Sequence, residues 1–169
     1  MGVHAKQQKP ILILGGTGKT GRRVAERLTA RGLPVRIGSR SGQPPFDWGN
    51  PATWMPALDG VGAVYISYYP DVAAPGGVEA VSSFANVAVA SGVRRLVLLS
   101  GRGEPEAEEA EAAVRASGAD LAILRATWFA QNFSEGFMLE PVQQGVIALP
   151  AGNTPEPFVD LDDLADVAV

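Results

Sequence analysis

Glycine stands at positions 15, 18 and 21 of the run Ile11-Leu12-Ile13-Leu14-Gly15-Gly16-Thr17-Gly18-Lys19-Thr20-Gly21, between a short apolar stretch and the start of a helical pattern. Glycine is required where a backbone turns tightly and where it must come close to a pyrophosphate. A helix that begins there offers unpaired N–H groups and the positive end of its dipole to the anion. The spacing is GxxGxxG rather than GxGxxG, and it takes its force from the strand–turn–helix setting. A Walker loop is not intended: only two residues separate Gly15 from Gly18, and no acidic strand end offers a magnesium ligand.

The next apolar stretch ends Ile37-Gly38-Ser39-Arg40. An acidic residue near this point would accept hydrogen bonds from ribose hydroxyls, whereas Arg40 brings a cation and a planar fork suited to a 2′-phosphate. The expectation is therefore NADP(H), preferred over NAD(H). A solvated surface arginine is the rival reading of Arg40.

Other chemistries are excluded by composition. The 169 residues include no cysteine, which removes disulfides, thiolate catalysis and Cys-ligated zinc, and the one histidine, His4, lies in a polar leader. No metal site is expected. A net charge of −4, from 14 basic and 18 acidic residues, argues against direct binding of nucleic acid. No apolar run approaches the roughly 20 residues needed to span a bilayer, and residues 1–9 lack the apolar stretch of a signal peptide. With 46% hydrophobic residues the chain can build a core. A cytoplasmic protein acting on a small-molecule substrate is expected.

The elements that must carry the loop follow from the pattern of apolar runs. Strands are expected at 11–14, 35–38, 63–67, 96–99 and 121–124. Helices are expected at 18–31, 78–91, 105–117 and 128–139, with a long connection over 41–55. Apolar strands alternating with helices imply right-handed crossovers and a doubly wound parallel sheet covered on both faces, an α/β Rossmann fold over residues 10–169. Pro155–Val159 reads as extended. Leu161, Leu164, Ala165 and Ala168 form one face of a final short helix that needs something to pack on. From this helix we expect that Val169 is not the natural end and that a C-terminal substrate region is lacking. An uncovered apolar face there would favour self-association into a homo-oligomer.

The loop and Ser39-Arg40 resemble atypical short-chain dehydrogenase/reductase proteins of the NmrA-like type. The same holds for Leu121-Ala122-Ile123-Leu124-Arg125 running into Trp128-Phe129-Ala130-Gln131-Asn132-Phe133, and for Phe158-Val159-Asp160-Leu161-Asp162-Asp163-Leu164-Ala165. Within that group the chain looks nearest to bacterial relatives of ergot-alkaloid iminium reductases. The resemblance implies Gly15, Thr17, Gly18, Lys19, Thr20 and Gly21 at the pyrophosphate and Ser39 with Arg40 at the 2′-phosphate. It further implies Asp47 and Trp48 near the adenine, Ser67, Tyr68 and Tyr69 beside the ribose and nicotinamide, and Ser100 at the end of the fourth strand. Tyr68, Tyr69 and Trp48 equally suit packing, and Ser100 could instead satisfy turn backbone. Trp128, Phe129, Asn132 and Phe133 would line the substrate side, with core packing the rival reading for the aromatics.

Most short-chain reductases protonate an alkoxide with a tyrosine activated by a lysine four residues on. Here the tyrosines are Tyr65, Tyr68 and Tyr69, the lysines are Lys6, Lys9 and Lys19, and no such pair exists. No catalytic residue is therefore assigned. A general acid is worth roughly 10²–10⁴-fold, so ordinary ketone reduction is disfavoured. The acceptors left are an imine or iminium, which yields a neutral amine, and a quinone-like compound, whose anion water can protonate. The alternative is an NADP-binding redox sensor acting through a regulatory protein partner. The acidic run Glu104, Glu106, Glu108, Glu109 and Glu111 reads as a solvated helix face, with Glu111 the one member that could face the cleft.

Overall fold

The computed structural model describes residues 8–169, so all but the last two residues of the expected leader lie outside the described residues. Five strands form one sheet: β1 (Ile11–Leu14), β2 (Val35–Gly38), β3 (Ala63–Ile66), β4 (Arg95–Gly101) and β5 (Asp120–Ala126). Every pairing is parallel, and the order is β2-β1-β3-β4-β5. The chain leaves β1 outward to β2 and then crosses back to β3 on the other side of β1. That reversal opens a crevice at the carboxyl ends of β1 and β3, the place where such sheets bind ligands.

Alternation along the strands divides the core. Leu12, Leu14, Val64, Ile66, Leu96 and Leu98 face α2 (Trp54–Leu58), α3 (Gly77–Ala90) and α4 (Pro105–Arg115). Ala85, Ala88, Ala107 and Ala110 are fully buried, and their small side chains let α3 and α4 lie close together. On the opposite face, Ile13 and Tyr65 pack with Val24, Ala25 and Leu28 of α1 (Lys19–Ala30) and with Ala165 of α7 (Leu161–Ala168). Coverage of both faces holds for β1 and β3 but not for β5. There, at the sheet edge, every residue is exposed or only partly buried.

Two sequence expectations are corrected, and a third, that the final helix needs something to pack on, is met within the chain. The helix expected over 128–139 is two short ones, α5 (Asn132–Glu135) and α6 (Leu139–Gln143). Ahead of them Phe129 instead bridges Val159, Ala130 N donates to Val159 O at 2.9 Å, and the chain turns at 130–131 into α5. The connection over 41–55 is not all loop, since Pro51–Thr53 forms a helical turn leading into α2. Finally, the apolar face of α7 has its partner inside the chain. Leu161 and Ala165 are wholly buried and Leu164 nearly so, and Arg27 of α1 pairs with Asp162 and Asp166. Asp160 caps this helix, accepting from Asp162 N at 2.7 Å. No helix among the described residues is long and apolar enough to cross a membrane.

Candidate functional site

The turn after β1 is built for close approach. Gly15 sits in the left-handed region at φ +69°, and its carbonyl accepts from Gly18 N at 2.8 Å. A Cβ on Gly21 would lie 2.3 Å from Gly15 O, so the first turn of α1 rests directly on the loop. One on Gly15 would meet Ser67 Cβ and O at 3.2 Å, which brings the ends of β1 and β3 together. Thr20 Oγ1 donates to Ser67 Oγ at 3.4 Å across the same junction. Gly18 is the N-cap of α1, and no side chain among the described residues caps it. No acidic residue lies in the first turn. Thr17 and Gly18 are exposed. The first-turn N–H groups are thus free for an anion, and the bare glycine backbone leaves room for one.

Ser39 organises the far side of the crevice. Its carbonyl accepts from Gly42 N at 3.0 Å and Phe46 N at 2.8 Å. Arg40 is exposed and makes no hydrogen bond or ion pair among the described residues. Asp47 and Trp48 are held rigidly. Trp54 Nε1 donates to Asp47 O at 2.9 Å, Asp47 Oδ1 accepts from Gly49 N at 2.9 Å, and Trp48 meets Tyr68 edge to face at 5.0 Å. Trp48, next to Asp47, therefore lies against Tyr68, next to Ser67, whereas Tyr69 is 83% exposed.

Lys19, expected at the pyrophosphate, has a partner elsewhere in the chain. Its ammonium donates to Asn132 Oδ1 at 2.6 Å and lies 6.0 Å from the Phe129 ring centroid. Burial lowers its pKa. A Cβ on Gly136 would come within 2.9 Å of Lys19 Nζ, so that glycine leaves room for the cation. Glu135 is clasped by Arg22 and Arg23, the latter at 2.6 Å. The segment 129–136 is thereby tied to α1, and Lys19 reaches toward it. Trp128, 44% exposed, leans on Phe137 and Phe158, while Phe133 stacks edge-on with Phe158 at 5.2 Å. The arginines on α1 and the glutamate at 135 were not singled out in the sequence. Their link spans 112 residues and has no local signal.

Glu111 is not part of a solvated face, unlike Glu104, Glu106, Glu108 and Glu109. It is 1% exposed and accepts a fork from Arg125, Nε to Oε1 at 2.8 Å and Nη2 to Oε2 at 2.6 Å. Ser100, also buried, lies 2.7 Å from Glu111 Oε1. The Arg125 guanidinium holds the Glu111 carboxyl below the usual carboxylate range, with the Ser100 hydroxyl assisting against burial. A depressed carboxyl stabilises the fold above its ordinary pKa of about 4.3, and that contribution is lost as pH falls through the lower folded value. Glu111→Ala is therefore expected to lower unfolding stability by about 1–3 kcal/mol at pH 7. The gap should shrink below about pH 4, as read by urea unfolding of both proteins across pH.

Tyr65 cannot serve as a proton donor. It is 2% exposed beneath α1, its hydroxyl has no hydrogen-bond partner among the described residues, and burial pushes its pKa up to about 12. No group of three or more His, Asp or Glu among the described residues could hold a metal ion.

No family model matches the chain. Curated relatives do. Over 94% of its length it is 32% identical to festuclavine dehydrogenase of Aspergillus fumigatus, covering 61% of that protein. It is 31% identical to agroclavine dehydrogenase of Claviceps fusiformis at the same coverages, and 30% identical to prestalk A differentiation protein A of Dictyostelium discoideum, covering 58% of it. The chain is a homologue of these proteins, two of which are named as dehydrogenases. Among solved structures, this homologue superposes with a TM-score of 0.65 and 19% identity on Citrobacter triphenylmethane reductase complexed with NADP(H), over 92% of its own length and 62% of that chain. The negative transcriptional regulator NmrA gives 0.63 and 16%, over 75% and 48%. These establish the Rossmann fold. The homologue spans about three fifths of the length of the curated relatives it matches.

Proposed function

We propose that this dehydrogenase homologue binds NADP(H) across the switch point between β1 and β3 and serves as a reductase of imine-, iminium- or quinone-like acceptors. The observation that carries the reading is the uncapped first turn of α1 resting on a left-handed Gly15. Gly15, Thr17, Thr20 and Gly21 would hold the pyrophosphate through backbone N–H groups, with Gly18, its own N–H on Gly15 O, leaving room for it. Arg40 and Ser39 would hold the 2′-phosphate, Asp47 with Trp48 the adenine, and Ser67 with Tyr68 the ribose. That named relatives are dehydrogenases, and that a structural neighbour was solved with NADP(H), supports the choice of ligand.

Bound, the dinucleotide would supply a hydride. The chain's own residues would orient the ring and exclude water. No tyrosine–lysine acid exists in the sequence, and Tyr65 is sealed beneath α1. The acceptor must accordingly need no proton from the protein. Trp128, Phe129 and Asn132, beside Lys19, would form the acceptor's side of the cleft. Anaerobic NADPH oxidation against a panel of cyclic imines and quinones tests this. Turnover of members of either class, with ketones inert, is the expected result. Oxidation of none, together with NADP-dependent capture of a protein partner, would replace the reductase by a redox sensor.

A further inference from the structure

Lys19 carries a charge that no ion pair among the described residues neutralises. Its ammonium has three N–H donors, and the partner it finds is the neutral side-chain carbonyl of Asn132, at 2.6 Å. The carboxylate whose charge it feels, Glu135, is already clasped by Arg22 and Arg23. The seat is built from the segment after β5. Asn132 fixes one side of the ammonium, the Phe129 ring lies 6.0 Å away, and Gly136 leaves the space that a Cβ would fill, 2.9 Å from Nζ. Lys19 stays partly exposed, so the donors not given to Asn132 are open to a ligand. Aromatic surface adjoins the same stretch and is open as well. Trp128 is 44% exposed and Phe158 42%, and Phe158 meets both Trp128 and Phe133 edge to face.

From this we propose that Lys19 selects the acceptor by charge, taking an aromatic ligand whose oxygen is, or becomes, negative. The inference deepens the reductase reading and rests on it, because it chooses between the acceptor classes left open there. An iminium arrives cationic and leaves as a neutral amine, so a fixed ammonium opposes its entry. A quinone-like acceptor arrives neutral. It gains a hydride, with both electrons, from a dihydronicotinamide C–H bond and leaves as a hydroquinone monoanion that water protonates. An ammonium beside that oxygen favours the charge as it develops, and more strongly where water is partly excluded. Lys19 thus places the quinone-like class ahead of the iminium.

Equilibrium binding tests this without turnover. NADP⁺ is titrated first. With it bound, three single-ring probes are compared: 4-nitrophenolate, neutral nitrobenzene and the cation N-methylpyridinium. The wild type is expected to bind the phenolate roughly tenfold more tightly than nitrobenzene, and the cation most weakly. Lys19→Met should bring the three within about twofold of one another, while Lys19→Arg, which keeps the charge, should retain the order. Asn132→Asp, which leaves Lys19 in place but cancels its charge, is the second variant should the methionine protein not fold, and it too should lose the preference. Equal binding of the probes, binding of none, tighter binding of the cation, or a phenolate preference that survives Lys19→Met overturns the inference. So does a Lys19→Met protein whose loss is confined to NADP⁺ affinity, since the ammonium would then serve the pyrophosphate. If NADP⁺ itself does not bind, the reading of the crevice fails and this inference with it. If NADP⁺ binds and the probes rank otherwise, this inference alone fails.

Discussion

Replacing Gly21 with alanine is expected to abolish tight dinucleotide binding while leaving most of the sheet intact. The new methyl would lie 2.3 Å from Gly15 O and 2.8 Å from Gly16 Cα, and both are backbone atoms that cannot swing aside. Relief requires α1 to lift from the loop. That displaces the first-turn N–H groups from the anion they would serve. Overpacking costs about 1–3 kcal/mol of stability, partly offset by alanine's advantage of about 1 kcal/mol over glycine in a helix. Binding suffers more. Loss of two charge-assisted contacts, each about 1.5–3 kcal/mol, weakens affinity by roughly a hundredfold or more. Isothermal titration with NADPH beside urea unfolding separates the two effects. Near-normal affinity in a stably folded Gly21→Ala protein would show that the loop is not the phosphate site.

Phe84→Ala is expected to give the largest loss of stability, about 3–5 kcal/mol. Phe84 is wholly buried on α3, with Phe46 at 5.6 Å, Trp48 at 5.4 Å and Trp54 at 5.7 Å around it. No neighbour can fill its volume without moving the segment that holds Asp47 and Trp48. The same substitution should therefore loosen that wall of the crevice. Tryptophan fluorescence should shift to the red, and denaturant unfolding should begin at a lower midpoint. A midpoint within about 1 kcal/mol of wild type would mean that the aromatic cluster repacks freely and does not brace the site.

The parts of this molecule that could be read from its sequence are those written in local pattern. β1, the glycine turn and α1 follow one another directly, and each carries its own signal in apolar runs and glycine spacing. The lone charge in Leu121-Ala122-Ile123-Leu124-Arg125 was such a signal too, but its meaning lay elsewhere. Only the fold shows that Arg125 holds Glu111 across 14 residues, turning one member of an acidic run into a buried carboxylate. Lys19 carries a link of the same kind: its place in the loop suggests phosphate, and only the fold shows its ammonium donating to Asn132, 113 residues away. The helix expected over 128–139 failed because the strand-like pairing of Phe129 with Val159 outweighs a local helical pattern. The apolar face of α7 carried the opposite lesson. It needed a partner, and α1 supplies one.

The most direct measurement is isothermal titration of NADPH and NADH against the wild type and Arg40→Ala. Arg40 is exposed at the end of β2, with no partner among the described residues to occupy its guanidinium. A charge-assisted bond to a 2′-phosphate is worth about 1.5–3 kcal/mol. Wild-type protein should therefore bind NADPH at least roughly tenfold more tightly than NADH. In Arg40→Ala that preference should vanish through weaker NADPH binding, with NADH affinity unchanged. Equal affinities in the wild type, a preference that persists without Arg40, or binding of neither dinucleotide would contradict the NADP(H) site at the β1–β3 crevice.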